Sequence, residues 1–305
     1  MKTNSNTNPM LRALGILTFT TFSFGAFAQE PIIVTMDALA PSTATRNSYS
    51  VDIPQVSLKD VERDWVKEVG KSSKGKATVV NGEHVQSGAV NTNISPEPFT
   101  YYSRFVEAPK GVRLTSWLGN NNIVSASGVA NANQDLAVQK FMRDFAVEAY
   151  RGAVKEELKM EEDKLRDLEK NMAQAVKTEE KSNKTIQQNQ RSNIKADDAI
   201  ATNERDIERK TENITDQKDM VQQTAADPNA NKGAKKTLGE LESDKKGLQK
   251  ENEKASKDIV AREKESRAAD RTMVNANQVK ETKASDIEAQ REVVRLVKLK
   301  LDGIK

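Results

Sequence analysis

The sequence predicts an α+β protein of two unlike parts: a small antiparallel sheet-and-helix head followed by a long antiparallel coiled-coil helical hairpin. Three observations carry that prediction. Of the 305 residues 30% are charged and only 5% aromatic, which is too polar for one large packed globule. Beyond residue 28 every aromatic residue lies between Tyr49 and Tyr150, so the area available for a compact core is confined to that stretch. After Tyr150, apolar residues recur every seven positions on both sides of a single Pro- and Gly-containing break, the pattern of two heptad helices folded back on each other.

The first element is a targeting segment, residues 1–28. Lys2 and Arg12 precede or open an apolar stretch from Leu11 to Phe27 that closes on Ala26-Phe27-Ala28, as in a secretory signal peptide cleaved after Ala28. A retained anchor is the alternative, but the stretch is short for a membrane span. No Cys follows for lipid attachment, and no later apolar run is long enough to form a transmembrane segment. The expected location is therefore periplasmic or secreted, in a bacterium. The formal charge of +3 falls to about +1 once Lys2 and Arg12 are removed, so bulk charge gives no case for nucleic-acid binding.

The head is expected over 29–132. Ser57 precedes Leu58, Val61, Trp65 and Val69 at helical spacing, Asp60 favours the helix start, and Gly70 closes the run. Ala77 to Val80, the dipeptide Asn81-Gly82 and Glu83 to Gln86 form a two-residue β-hairpin signature. Strands over Phe99–Val106 and Gly111–Leu118 follow, separated by a turn containing Pro109, with a further short strand through Ile123 and Val124. That makes about four strands. A helix over 133–158 then packs on the head through Val138, Phe141, Phe145 and Ala149.

Residues 55–125 resemble a family of secreted Bacteroidetes domains of unknown function with a TATA-binding-protein-like fold. The likeness lies in the order of elements and in the helix Asp60-Val61-Glu62-Arg63-Asp64-Trp65 ahead of Asn81-Gly82. It implies a fold and a bacterial envelope setting, and no reaction.

The hairpin is expected over 159–305 with its tip near 227–233. Leu158, Leu165, Met172, Ile186, Ile200, Ile207, Ile214 and Val221 share one heptad position, and Leu238, Ile259, Met273, Ile287, Val294 and Leu301 share another. Aligning the two heptad registers pairs residues whose numbers add to 462: Val221 with Leu241, Ile207 with Ala255, Glu179 with Lys283. Polar residues interrupt the middle of the seam: Asn189, Asn193, Asn203, Lys210, Lys245, Asn252, Arg262 and Lys280. Either a partner or water completes such a seam, or the hairpin is a solvated spacer.

Sites for chemistry are few. With no Cys there is no disulfide, thiolate metal site or cysteine nucleophile. His84 is the only histidine, and no Gly-x-Ser-x-Gly elbow accompanies it. Glu156, Glu157, Glu161, Glu162 and Asp163 sit on a Lys-rich heptad helix as solvated charges. Asp227 to Asn231 has calcium-loop composition without the terminal Glu. Neither a phosphate loop nor a dinucleotide fingerprint occurs. No residue is assigned as catalytic, cofactor-binding or metal-ligating, and no cofactor is expected.

The expected function is that of a non-enzymatic cell-envelope protein whose coiled-coil hairpin acts as spacer or protein-interaction arm, through a protein partner or self-association. The second reading is a periplasmic holdase. The chain resembles Skp-type chaperones in having a signal peptide, no Cys, and a β-containing body with a long helical hairpin, though here all strands precede the hairpin. The third is a ligand- or glycan-binding head that uses Tyr101 or Tyr102. As neighbours on a strand these two point to opposite faces, so one belongs to the core and the other lies outside.

Overall fold

The computed structural model describes residues 31–37, 48–119 and 132–305. The signal peptide and the strand expected at Ile123 and Val124 lie outside the described residues. Two compact units emerge, one running through Lys155 and including Lys298–Lys305, the other spanning Glu156–Val297.

The first unit is built on a six-stranded antiparallel sheet: β1 (Val34–Asp37), β2 (Ser48–Pro54), β3 (Thr78–Val80), β4 (Glu83–Asn91), β5 (Ser95–Ala108) and β6 (Gly111–Gly119). Their order across the sheet is β1-β2-β6-β5-β4-β3. Helix α1 (Leu58–Gly70) lies between β2 and β3 in the chain, and α2 (Ala132–Gln223) follows the last strand.

The expected hairpin at Asn81-Gly82 forms as its residues dictate. Both adopt positive φ, 52° and 78°, the type I′ geometry that matches strand twist, and Val80 pairs with Glu83. The β5–β6 hairpin turns at Pro109-Lys110 between the paired Ala108 and Gly111. Gly111 has φ 158°, and a Cβ there would lie 2.1 Å from the Ile53 carbonyl oxygen, so β2 approaches β6 too closely for any side chain.

Strands β1 and β2 enlarge the expected four-stranded sheet. β2 pairs with β6 along its whole length, from Ser48 opposite Trp117 to Pro54 opposite Gly111. Its Tyr49, Val51 and Ile53 are all buried, so a period-two apolar pattern marks the strand, but Ser48 and Ser50 between them are buried as well and blur the polar alternation.

Helix α1 begins as expected: Ser57 Oγ accepts from the Asp60 amide at 3.2 Å. It does not end on a glycine cap. Gly70 is the last helical residue, and Lys71 caps with ordinary αR geometry, its amide bonding back to Glu68 and Val69 carbonyls. The Ser72 and Ser73 hydroxyls also donate to the Val69 carbonyl, at 3.1 and 2.8 Å, satisfying the acceptors that a left-handed Gly would otherwise cover.

Trp65 is the centre of this unit's core and fully buried. Its ring meets Tyr101 of β5 edge-on, with centroids 6.1 Å apart, and Phe141 and Phe145 of α2 at 5.5 and 4.9 Å. The first turns of α2 therefore pack on the head as expected, with the buried line running through Val138, Met142, Ala146 and Val154. The C-terminal residues close the same unit: Ile304 is buried, and its carbonyl accepts from Arg151 Nη2 at 2.9 Å.

The second unit is the helical hairpin. No break separates the head-packing turns of α2 from its hairpin arm, and α3 (Pro228–Gly303) returns. The fold-back lies at 224–227, ahead of the expected 227–233. Asp227 caps α3, its Oδ1 accepting from the Asn229 and Ala230 amides at 3.0 and 3.2 Å. Pro228 is then the first helical residue, where its missing N–H costs nothing. Gly233 is accommodated inside the helix.

This displaces the pairing by one heptad. Asn203 Nδ2 donates to Asn252 Oδ1 at 2.8 Å, and Arg262 Nη1 to Asn193 Oδ1 at 3.2 Å. Both pairs add to 455, not to the expected 462. Glu179 meets Lys280, three residues short of the expected partner Lys283, which turns to Asp286 within its own helix.

Candidate functional site

Three places on the molecule bring polar or aromatic groups together: the head interior, the opposite face of the sheet, and the hairpin. In the interior, Trp65 Nε1 donates to Ser103 Oγ at 2.7 Å, and Ser116 Oγ donates to the Tyr102 carbonyl at 3.2 Å. Gln86 Nε2 donates to the Gly75 carbonyl, while Gln86 Oε1 is buried without a hydrogen-bond partner among the described residues, and the buried Tyr101 Oη has the Asn91 side chain nearby. Gln86 and Tyr101 are cross-strand partners, so both polar groups belong to one buried region. Burial raises the Tyr101 hydroxyl's pKa well above its usual value, keeping it a neutral donor. Tyr49 is raised in the same way, first by burial and then by its hydrogen bond to Asp135 on α2.

His84 joins β4 to α1. Its Nε2 lies 3.0 Å from Glu62 Oε1, and its ring stands edge-on to Phe105 with centroids 5.3 Å apart. The histidine and carboxylate thus link β4 to α1. Among the described residues no group of three His, Cys, Asp or Glu could hold a metal ion.

Tyr101 and Tyr102 divide between the two faces as expected. Tyr101 is in the core and Tyr102 is half-buried on the other face, opposite Val85 of β4 and Trp117 of β6. There Arg104 joins Glu83, at 2.7 Å, to the Trp117 ring, whose centroid is 5.4 Å from the guanidinium carbon. Glu83 is only 1% exposed, a buried carboxylate that needs this pairing. Sequence reading missed the cluster because its three members come from three strands.

The hairpin arranges its polar residues in layers. Besides the Asn203–Asn252 and Asn193–Arg262 pairs, Asn189 Nδ2 donates to the Arg262 carbonyl at 3.2 Å and to Glu265 Oε2 at 3.1 Å. Lys210 meets Asp244 at 2.8 Å, Gln217 donates to the Ala234 carbonyl at 3.1 Å, and Gln290 reaches the Glu161 side chain at 2.7 Å. Of the residues that looked wrong for a seam, Asn189, Asn193, Asn203, Lys210, Asn252, Arg262 and Lys280 find partners on the opposite arm, whereas Lys245 forms no ion pair with a described residue. Apolar layers hold the ends, with Ile214 near the tip and Ile287, Val294 and Val297 toward the base. Outside the seam Ile194 and Val260 are 62% and 65% exposed, side by side with Asn193 and Ile259 in sequence. A shallow open groove of about 400 Å³ runs beside Lys177, Lys181, Ser182 and Thr272. Of the five acidic residues at the start of this arm, Asp163 pairs with Arg166 on the exposed side, whereas Glu161, expected as a solvated charge, is 15% exposed and lies between Lys164 and Gln290 of the other arm. No helix among the described residues is long and apolar enough to cross a membrane.

No protein-family model matches the sequence, and no curated protein shows significant similarity to it.

Proposed function

We propose that this is a non-enzymatic cell-envelope protein in which the small α+β head carries a preformed coiled-coil arm that engages a protein partner. The observation that supports this reading most is the self-satisfied seam: its central polar residues pair with each other across the two arms in one register. A seam completed in this way does not need another helix inserted into it, so the outward faces of the hairpin are what remain for recognition. Polar layers fix register at some cost in stability. That cost suits an arm which must present its outer side chains at defined positions. The envelope setting rests on the amino-terminal apolar segment with its Ala26-Phe27-Ala28 ending.

The test is site-specific photo-crosslinking in the intact cell. Photoreactive residues at the exposed hairpin positions Lys177, Gln190 and Lys257 are compared with one at Thr100 on the head. Discrete protein adducts from the hairpin positions support the arm. Adducts from the head position alone, with none from the hairpin, would refute it.

A further inference from the structure

The outward face of α2 is divided into blocks of opposite charge. From Lys170 to Lys195 the helix has six cations, Lys170, Lys177, Lys181, Lys184, Arg191 and Lys195, against two carboxylates, of which Glu179 turns to Lys280 of the other arm and only Glu180 stays outside. All six cations are exposed, and none forms an ion pair with a described residue. Lys170, Lys177, Lys184 and Arg191 are seven residues apart and so lie in one line, about 10.5 Å per step. The seam residues Ser182 and Asn189 are buried on the opposite side of the helix. The next segment, 197–219, reverses the balance, with eight carboxylates and four cations.

We infer that the basic block of α2 docks onto the acidic block of a second copy's α2, in antiparallel orientation about a twofold axis. The two blocks are adjacent, of similar length and opposite in sign, which is what a reciprocal isologous contact requires. With the axis placed between the blocks, residues whose numbers add to 393 meet: Lys177 with Asp216, Lys181 with Glu212, and Lys195 with Asp198. These three carboxylates are exposed and, like the lysines, form no ion pair with a described residue. The twofold repeats each contact. The same alignment puts Lys184 near Arg209, whose charge Asp206 already balances.

Other occupants suit the face less well. No aromatic residue follows Tyr150, so there is no platform for stacking nucleic-acid bases. Asn171, Gln174, Thr178 and Thr185 lie between the cations where a membrane-inserting helix would carry apolar groups. A long free polyanion following the basic line would run onto the acidic block. The inference rests on the reading of the hairpin as an interaction arm and names its partner.

Sedimentation equilibrium of the purified protein tests it. A dimer is expected at low ionic strength, weakened about tenfold or more when salt is raised from about 50 mM to about 500 mM. K177E/K181E and E212K/D216K should each weaken the dimer at least about tenfold, and the combined fourfold exchange should restore it. Circular dichroism confirms that each variant remains helical. A protein that is monomeric at low salt, a dimer indifferent to K177E/K181E, or a fourfold exchange that fails to restore association would each overturn the inference. A monomer whose hairpin still crosslinks to a different protein overturns self-docking while leaving the arm intact. A monomer that binds heparin through Lys177 and Lys181 overturns it in favour of a polyanion.

Discussion

Replacing Asn203 and Asn252 by leucine, singly and together, separates stability from register in the hairpin. The two side chains share one hydrogen bond of 2.8 Å and are each partly buried in the seam. Asn203→Leu leaves the Asn252 amide without that partner, a cost of about 1 kcal/mol for a group that retains some water. The double substitution removes both amides and adds two half-buried leucines, together about 2 kcal/mol of apolar burial, against loss of the hydrogen bond worth about 1 kcal/mol. Each leucine also contributes about 1 kcal/mol in the single variants, so each single is expected to stay close to the parent and the double variant to be about 1 kcal/mol more stable, a coupling of about 1 kcal/mol. Urea unfolding followed by helical ellipticity measures this, because the hairpin contributes most of the helix. Tryptophan fluorescence follows the head separately, since both tryptophans lie there. Additive effects of the two single substitutions would refute the layer. The stabilised double variant should also show a second population slipped by one heptad, visible as a second distance between spin labels on the two arms, because leucine pairs equally well in either register.

Two further outcomes concern the head. Trp65→Ala should cost about 3–5 kcal/mol, since it empties the space among Tyr101, Phe141 and Phe145; a cost below about 1 kcal/mol, read from Trp117 fluorescence in urea, would contradict that core. The bidentate Arg113–Asp52 pair, at 2.7 and 2.8 Å across β2 and β6, holds the Asp52 carboxyl below its usual pKa. A carboxylate depressed in the folded state contributes stability above its unfolded pKa and loses it as pH falls through the folded value. Both side chains are more than half exposed, so Arg113→Gln should cost less than about 1 kcal/mol at neutral pH and almost nothing near pH 2. An equal cost at both pH values would show that the pair acts through packing alone.

How far these features can be read from sequence follows from the kind of information each one uses. The heptad positions of both arms match the observed seam because a seven-residue repeat is explicit in the chain. The repeat cannot distinguish a fold-back sum of 455 from 462, since the two differ by one heptad and place the same positions in the seam. Two other signals do distinguish them. Asp227-Pro228 is a helix start, not the middle of a loop, and matching Asn203 to Asn252 and Asn193 to Arg262 works only at 455. The Asn81-Gly82 turn was legible because two successive positive φ angles demand those residues. β2 was obscured by its buried serines, and the Glu83–Arg104–Trp117 cluster depends on the pairing of β4, β5 and β6, which local sequence does not encode.

Because the chain contains no cysteine, an engineered pair reports register without interference. Asn203→Cys with Asn252→Cys should oxidise rapidly to an intramolecular disulfide, seen as a faster band on a non-reducing gel. Asn203→Cys with Ile259→Cys, the pair required by a sum of 462, should stay reduced under the same conditions. Closure of the second pair and not the first would contradict the fold-back register, and with it the cross-arm pairing of the polar seam residues on which the interaction arm rests.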